Sequence, residues 1–253
     1  MKINDFLKSI SQDMQLNNRV FYKDDFYYML KYVGIKKNNY LYKDIDKFYE
    51  EFLTSLNNSL VRYETRSLKF GENKTNYISF YATEKADYLK AVKVYFPVKY
   101  EYLISSLKTV FLYLIRNNIK STVKFHLKAT NEAIVIRFYD EKDVMPFINY
   151  CNQSFILKEL LEKTNPFIPT IYGIGVVRDD NTKYSYLAML SECLQDYFWL
   201  LKNTNTLDRA SDLDFLDYLI KRANIEEDDK TRFDINEIQK GITNILNLSN
   251  PLE

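Results

Sequence analysis

Two short segments of the sequence carry cationic and proton-transferring side chains at alternate positions. One residue separates Lys93 from Tyr95, and one residue separates Lys124 from His126. Because alternate residues of an extended strand point to the same face, each segment would present its two polar groups together. If the two strands lie side by side, two lysines, a tyrosine and a histidine converge on one patch. Such a patch is an anion site with proton donors and acceptors.

This combination of side chains favours chemistry on a phosphate. A lysine whose pKa is lowered by a neighbouring cation acts as a general base, and a phenol or an imidazole can protonate a departing oxygen. The alternative is that the four residues are solvent-facing positions on the polar side of a half-buried sheet. The residue pattern alone leaves both interpretations open.

The segments that hold these residues have the patterns of strands joined by helices. Ala91–Val98 alternates, is rich in β-branched residues and carries a proline near its end, so it predicts a strand. Apolar residues between Tyr100 and Leu114 recur at helical spacing. Two further strands are predicted at Ser121–Leu127 and Ala133–Phe138, and a second helix at Asp143–Lys163.

Helices are predicted on both sides of this βαββα core. Asp24–Tyr32 and Lys43–Leu56 precede it, and helices near Tyr186–Lys202 and Asp212–Arg222 follow it. Ile171–Val177, which contains two glycines, predicts a strand between the core and the last helices.

The fold class that follows from these elements is α+β. It has a helical N-terminal part, a βαββα core with a small mixed sheet, and C-terminal helices. Turn-forming clusters between residues 58 and 90 place a domain boundary near 88. We therefore predict a mainly helical subdomain over 1–88 and an α+β domain over 89–253.

Composition excludes several classes of protein. Lys plus Arg number 35 against 34 Asp plus Glu, so the net charge of +1 argues against a broad nucleic-acid surface. A hydrophobic content of 46% is too high for a disordered chain. The longest apolar run, Val110–Ile115, is far below the ~18 residues of a membrane span, so no membrane partner is expected.

The expected location is the cytoplasm. Cys151 and Cys193 are too few for a disulfide framework, which fits a reducing compartment, and no secretory signal is visible. Effectors that specialised injection machines deliver also lack such a signal, so secretion by that route stays open.

Most familiar catalytic motifs are missing from the sequence. A Ser-His-Asp triad would have to use His126, the single histidine, and no Gly-x-Ser-x-Gly elbow is present. Gly173-Ile-Gly175 begins like a dinucleotide loop, but Arg178 stands where a third glycine belongs, so a strand bend is favoured. Two distant cysteines and one histidine do not have zinc-site spacing. We expect no metal and no cofactor.

Seven segments between roughly residues 76 and 202 follow each other in a recognisable order. They are Phe80-Tyr81, Lys93-Val-Tyr95, Val123-Lys124-Phe125, Ala133-Ile-Val-Ile136, Asn165-Pro-Phe-Ile-Pro169, Gly173-Ile-Gly175 and Ser185-Tyr186. In this order they resemble the HopA-type effector family, which is similar to the OspF-type phosphothreonine lyases and to the lyase domains of lanthipeptide synthetases. The resemblance implies β-elimination of phosphate from a phosphorylated Ser or Thr of a peptide or protein, usually with a partner kinase.

The resemblance also implies roles for individual residues. Lys124 would remove the α-proton, Tyr95 would protonate the leaving phosphate, and Lys93 would hold it. The lyases have a Lys-x-His where the HopA-type pattern has Lys-x-Tyr, so Lys93-Val-Tyr95 follows the second version. Lys124-Phe-His126 is itself a Lys-x-His, which makes His126 the alternative acid.

The sequence departs from the family pattern at two arginines. One is replaced by the segment Thr130–Glu132, and the other falls near Met189 or Leu190, which are apolar. Both positions would otherwise clamp phosphate through a guanidinium. Arg178 and Arg137 are the nearby substitutes, although Arg137 more simply fits an outward-facing strand residue.

Two functions follow from these observations. The first is a phosphothreonine or phosphoserine lyase that leaves a dehydroamino acid. The second is a catalytically degenerate binding module on the same fold, an effector or interaction protein that grips a peptide, a kinase or another protein partner. Convergence of Lys93, Tyr95 and Lys124 near a guanidinium would favour the lyase.

Overall fold

The computed structural model describes residues 3–32, 45–56, 62–64, 68–70, 73–75, 77–81, 91–126, 133–153, 167–168, 170–179 and 186–226. The fold over these residues is α+β, as the sequence predicts. The chain divides into two compact units. The helical unit consists of Met1–Val33, Pro166–Pro169 and Val177–Glu253, and the sheet unit consists of Gly34–Asn165 and Thr170–Val176. The boundary predicted near residue 88 lies outside the described residues and stays a prediction.

The predicted βαββα order of elements is confirmed in the sheet unit. Five described elements of this unit precede the core: helix α3 (Ile45–Leu56) and four short strands. Those strands are β1 (Arg62–Glu64), β2 (Leu68–Phe70), β3 (Asn73–Thr75) and β4 (Tyr77–Tyr81). The core itself is β5 (Ala91–Phe96), α4 (Leu103–Arg116), β6 (Ser121–His126), β7 (Ile134–Phe138) and α5 (Val144–Gln153). The part of the second predicted helix over 154–163 lies outside the described residues.

Seven of the described strands form one sheet in the order β1-β4-β6-β7-β5-β9-β8, where β8 is Thr170–Ile171 and β9 is Ile174–Asp179. β6 and β7 pair antiparallel, and β7 also pairs antiparallel with β5. β4 pairs antiparallel with both β6 and β1. β7 therefore lies between the two strands that carry the predicted site residues.

One face of this sheet is apolar and holds the core of the unit. Val94, Ile136 and Val123 are in register across β5, β7 and β6, and all three are buried. Helices α3, α4 and α5 contribute residues to the same cluster. Its aromatic contacts include Phe52 with Phe111, whose ring centroids are 5.4 Å apart, and Phe138 with Phe147, at 5.3 Å.

The strand predicted over Ile171–Val177 is in fact a hairpin. β8 and β9 pair antiparallel around Tyr172 and Gly173, with Ile171 opposite Ile174. Both turn residues have positive φ, 52° for Tyr172 and 81° for Gly173, which is typical of a two-residue type I′ turn. The first glycine therefore turns the chain, whereas the sequence analysis assigned both glycines to one bent strand.

The helical unit contains helices from both ends of the chain. They are α1 (Ile3–Leu16), α2 (Lys23–Tyr32), α6 (Tyr186–Asn203) and α7 (Asp212–Glu226). Phe26 of α2 packs on Phe198 of α6, with ring centroids 5.7 Å apart, and Lys23 forms an ion pair with Glu192 beside them. The backbone N–H of Ile3 donates to Asp212 Oδ1 at 2.7 Å, so α7 satisfies one of the free N–H groups of α1.

Candidate functional site

The predicted site residues of β5 lie on the face of the sheet opposite the core. Val92, Val94 and Phe96 belong to the apolar cluster, and alternation places Lys93 and Tyr95 on the other side. Both are buried all the same, with 8% and 3% of their surface exposed. A buried lysine beside a buried phenol is unusual for the polar side of a half-buried sheet, where such groups ordinarily face water.

The pairing register shows which residues of β7 and β6 lie on the same face as Lys93 and Tyr95. Lys93 lies opposite Arg137 of β7, and Arg137 lies opposite Thr122 of β6. In the next row, Tyr95 lies opposite Val135, which lies opposite Lys124. Directly opposed residues of antiparallel strands share a face. The two rows together form what we call the basic face: Lys93, Arg137, Thr122, Tyr95, Val135 and Lys124.

β5 and β6 are therefore not adjacent, because β7 lies between them. The hypothesis from the sequence that these two strands lie side by side is wrong by one strand. Neighbouring strands are about 4.8 Å apart, so the backbones of Tyr95 and Lys124 are separated by roughly 10 Å. Val135 lies between them on the same face.

Arg137 lies at the centre of this arrangement. The sequence analysis favoured a plain outward-facing strand residue, yet the register places its position between Lys93 and Thr122 on the basic face. Like charges directly opposite each other on two strands repel. Lys93 and Arg137 thus place two cationic side chains next to each other on this face.

The β5 side and the β6 side of the basic face differ in burial. Lys93 and Tyr95 on β5 are buried, whereas Thr122 and Lys124 on β6 and Arg137 on β7 are partly exposed. An anion that approaches from solvent would meet the β6 side first.

The side chains of two predicted site residues cannot be placed relative to the basic face. His126 ends β6 opposite Tyr77 of β4, in the next row after Lys124, and its side chain lies outside the described part of the structure. Arg178 is in β9 at a position that belongs to the helical unit, and its side chain lies outside that part too. The roles of His126 as acid and of Arg178 as phosphate ligand stay predictions.

Sequence reasoning missed two hydroxyl groups, one on the basic face and one beside it. Thr122 Oγ1 and the Tyr139 hydroxyl are 2.8 Å apart and share a hydrogen bond in which either atom can be the donor. Thr122 precedes Lys124 by two residues, and Tyr139 follows Arg137 by two. Extending the alternation of β6 and β7 by one step would have found both.

Other reactive groups in the described residues do not form a second site. Burial raises the pKa of the Cys151 thiol from its ordinary 9.0 to about 12, and Cys193 is also buried. No group of three or more His, Cys, Asp or Glu side chains with metal-binding geometry occurs over the same residues. None of the helices in the described ranges is long and apolar enough to cross a membrane.

Comparison with known proteins gives a match in structure alone. No family model matches the sequence, and no curated protein matches it. The fold is similar to that of an effector protein from Pseudomonas syringae pv. tomato strain DC3000, with a TM-score of 0.60 and 12% identity over 93% of this chain and 94% of that one. It is also similar to an effector protein from Pseudomonas syringae pv. syringae strain 61, with a TM-score of 0.56 and 9% identity over 87% and 93%. At such identities the likeness concerns the fold, and neither protein is described as a lyase.

Proposed function

We propose that the basic face binds the phosphate of a phosphothreonine or phosphoserine in a peptide and eliminates it, which leaves a dehydroamino acid. One observation carries the proposal. Lys93 and Arg137 are directly opposite each other, and Tyr95 and Lys124 occupy the next row of the same face. A phosphate clamp, an acid and a base are the groups that this reaction requires.

In the proposed reaction each of these groups has one task. The neutral amine of Lys124 removes the proton from Cα of the phosphorylated residue, and that electron pair forms the Cα=Cβ double bond. The Cβ–O bond breaks, and the phenol of Tyr95 gives its proton to the departing phosphate oxygen. Lys93 and Arg137 neutralise the charge on the phosphate. Proton exchange with water then restores Lys124 and Tyr95.

The difference in burial between the β5 side and the β6 side supports this division of roles. The leaving phosphate would lie beside the buried Lys93 and Tyr95 of β5. The peptide backbone, which is larger, would stay at the partly exposed side with Lys124. Burial around the phosphate strengthens its attraction to the cations, because the local dielectric is lower than in water.

A second candidate function is binding of a phosphorylated or other acidic partner without turnover. It is favoured by Leu190, which stands near the position of one arginine of the resembled family and is 1% exposed inside the helical unit. A buried leucine cannot supply a phosphate clamp. The two structural neighbours are described as effector proteins, and an effector role is compatible with either candidate.

The test is incubation with a phosphothreonine peptide followed by mass spectrometry for loss of phosphoric acid. Lys124→Ala removes the proposed base. Lys108→Ala is the matched control, because Lys108 is a partly exposed lysine of α4, the helix that covers the apolar face. We expect elimination by the unsubstituted protein and by Lys108→Ala, and a loss of at least a hundredfold in Lys124→Ala.

The other outcomes separate the two candidates. Binding of the peptide with no change in its mass would exclude the lyase and support the binding module. Elimination that persists in Lys124→Ala would show that another group is the base. Neither binding nor elimination across a set of phosphothreonine and phosphoserine peptides would contradict both candidates.

A further inference from the structure

Helices α4 and α5 carry two tyrosines whose rings lie against each other. Tyr113 of α4 and Tyr150 of α5 have ring centroids 4.5 Å apart and ring planes tilted by 31°. This distance is at the short end of the range for interacting aromatic side chains, so carbon atoms of the two rings are close to van der Waals contact. Tyr150 is exposed over 37% of its surface, and Tyr113 is partly exposed. The pair is therefore both closely packed and open to small molecules in solution.

The packing beneath the pair holds both rings in place. Phe147 precedes Tyr150 by three residues, so the two rings lie on the same side of α5. Phe147 is fully buried and also contacts Tyr113, with ring centroids 5.4 Å apart. α5 thus presents two aromatic rings to one tyrosine of α4. Tyr113 cannot turn away from Tyr150 without losing both contacts.

Two other tyrosine pairs in the described part of the chain have rings in contact, and both are less favourable for a reaction between the rings. The centroids of Tyr197 and Tyr218 are 5.2 Å apart, but Tyr197 is only 3% exposed. Tyr27 and Tyr28 are neighbours in the chain, with centroids 6.0 Å apart and ring planes at 73°. Among these described pairs, the α4–α5 pair combines the shortest distance with exposure.

Two phenol rings at this distance are suited to oxidative coupling. A one-electron oxidant takes one electron from each tyrosine, and each phenol gives its proton to water. The unpaired electron of each tyrosyl radical is shared between the oxygen and the ring carbons next to the C–O carbon. One C–C bond forms between two such carbons, and the hydrogens displaced there move to the oxygens, which restores both phenols. In total the protein loses two hydrogen atoms, as two electrons to the oxidant and two protons to water.

We infer that Tyr113 and Tyr150 couple to a dityrosine cross-link when the protein meets a one-electron oxidant. Rings that are held together couple faster than rings that must first meet, because the entropic cost of the encounter is already met by the fold. The cross-link joins α4 to α5 on the apolar side of the sheet. A covalent link between residues far apart in sequence restricts the unfolded chain, so it should stabilise the fold. The inference does not depend on the proposed lyase function.

The experiment oxidises the dilute, folded protein with photogenerated tris(bipyridine)ruthenium(III), with persulfate as the final electron acceptor. Trypsin then releases Tyr113 in the peptide 109–116 and Tyr150 in the peptide 143–158, and neither peptide contains another tyrosine. We expect the mass spectrum to show the sum of these two peptides less two hydrogen atoms. The oxidised protein should run as a monomer on a denaturing gel, because the link lies within one chain.

A pair of variants shows which rings are responsible. Tyr150→Phe keeps the ring and removes the phenol that coupling requires, so it should lose most of the dityrosine fluorescence that oxidation produces in the unsubstituted protein. Tyr102→Phe is the matched control and should keep that fluorescence. Tyr102 lies directly before α4, is 41% exposed and has no ring contact with another tyrosine of the described residues. Thermal unfolding before oxidation verifies that both variants are folded.

Oxidation should also change the unfolding temperature. We expect it to rise in the unsubstituted protein and in Tyr102→Phe, and to stay the same in Tyr150→Phe, which cannot form the link. No rise in a protein that contains the cross-linked peptide would overturn the stabilising role alone.

Three results would overturn the cross-link itself. The first is absence of the cross-linked peptide from the oxidised, folded protein. The second is an equal yield of this peptide from the urea-unfolded chain, since the fold would then contribute nothing to the pairing of the rings. The third is unchanged dityrosine fluorescence in folded Tyr150→Phe. The lyase assay with a phosphothreonine peptide is separate, and its result leaves each of these three readouts unaffected.

Discussion

The two faces of the central sheet use the same strands for opposite purposes. On β7, Phe138 is fully buried in the apolar cluster, whereas Arg137, one residue earlier, belongs to the basic face. On β5, Val94 and Phe96 belong to the apolar cluster, whereas Tyr95 between them lies on the basic face. The apolar face is packed with aliphatic and aromatic side chains, which stabilise the fold through area removed from water. The basic face combines lysines, an arginine and hydroxyls, which can donate hydrogen bonds to an anion.

This contrast separates stability from function at the level of single residues. Substitutions on one face should change the free energy of unfolding, and substitutions on the other should change ligand affinity. Each prediction below tests that separation, beginning with the largest expected effect.

Phe138→Ala should strongly destabilise the sheet unit. The ring is 0% exposed and packs on Phe147, so its removal leaves a cavity beneath β7. We expect the free energy of unfolding to fall by about 3–5 kcal/mol, measured by urea denaturation. A loss below about 1 kcal/mol would show that the apolar face is not the core of this unit.

Cys151 should be almost unreactive in the folded protein. Burial raises its thiol pKa to about 12, so little thiolate forms at mildly alkaline pH. In a Cys193→Ala background, iodoacetamide should label Cys151 at least about a hundredfold more slowly than in the urea-unfolded chain. Equal labelling rates would contradict the burial of this side of α5.

The same thiol makes stability depend on pH in the alkaline range. The folded-state pKa lies above the ordinary value of 9.0, so the protonated thiol favours the folded state fully below pH 9. This contribution is lost as the pH rises towards 12. Cys151→Ala should make the unfolding free energy less dependent on pH in that window, as urea denaturation at a series of pH values would show.

Arg137→Met should weaken phosphopeptide binding and leave the fold intact. The substitution keeps an apolar stem of similar length and removes a charged donor, so we expect a 10- to 100-fold loss of affinity, or about 1.5–3 kcal/mol. Isothermal titration calorimetry with a phosphothreonine peptide measures it. Arg116→Met, at the exposed end of α4, is the matched control and should bind as the unsubstituted protein does. An equal loss of affinity in both variants would indicate that the net charge of the protein, and not a specific site, determines binding.

Tyr172→Asn should give the smallest effect, and it should be stabilising. Tyr172 is exposed with φ of 52°, a conformation that Asn adopts at lower cost in a type I′ turn. We expect a gain of about 0.5–1 kcal/mol in unfolding free energy, with no change in phosphopeptide affinity. A loss of stability would show that the tyrosine ring makes a contact that outweighs the turn preference.

The comparison of the two faces also explains what sequence reasoning could find. Alternation along Ala91–Phe96 and helical spacing along Leu103–Arg116 are local patterns, so the βαββα core was predictable with its fold class. The shared face of Lys93 with Tyr95 followed from the same period. Local patterns hold no information about which strand lies next to which.

Non-local pairing is where the sequence analysis was incomplete. β7 lies between β5 and β6, and only the register places Arg137 opposite Lys93 and Thr122. β1 has only three residues, too few for a periodic pattern, and β4 lies in the stretch 58–90 that the sequence analysis assigned to turns and a domain boundary, so these additions to the sheet were missed. The hairpin at Tyr172-Gly173 was missed because tyrosine is rare at positive φ. Helix α1 lies within the region predicted to be mainly helical, although the sequence analysis gave no bounds for it.

The central claim is that side chains from two different strands act on one phosphate, and a double-mutant cycle tests it most directly. Phosphothreonine-peptide affinity would be measured for Lys93→Met, for Arg137→Met and for the double variant, with thermal unfolding to confirm that each is folded. If both cations bind the same phosphate, the loss in the double variant will be smaller than the sum of the single losses by about 1 kcal/mol. Strictly additive losses, or no loss in either single variant, would contradict a shared site on the basic face.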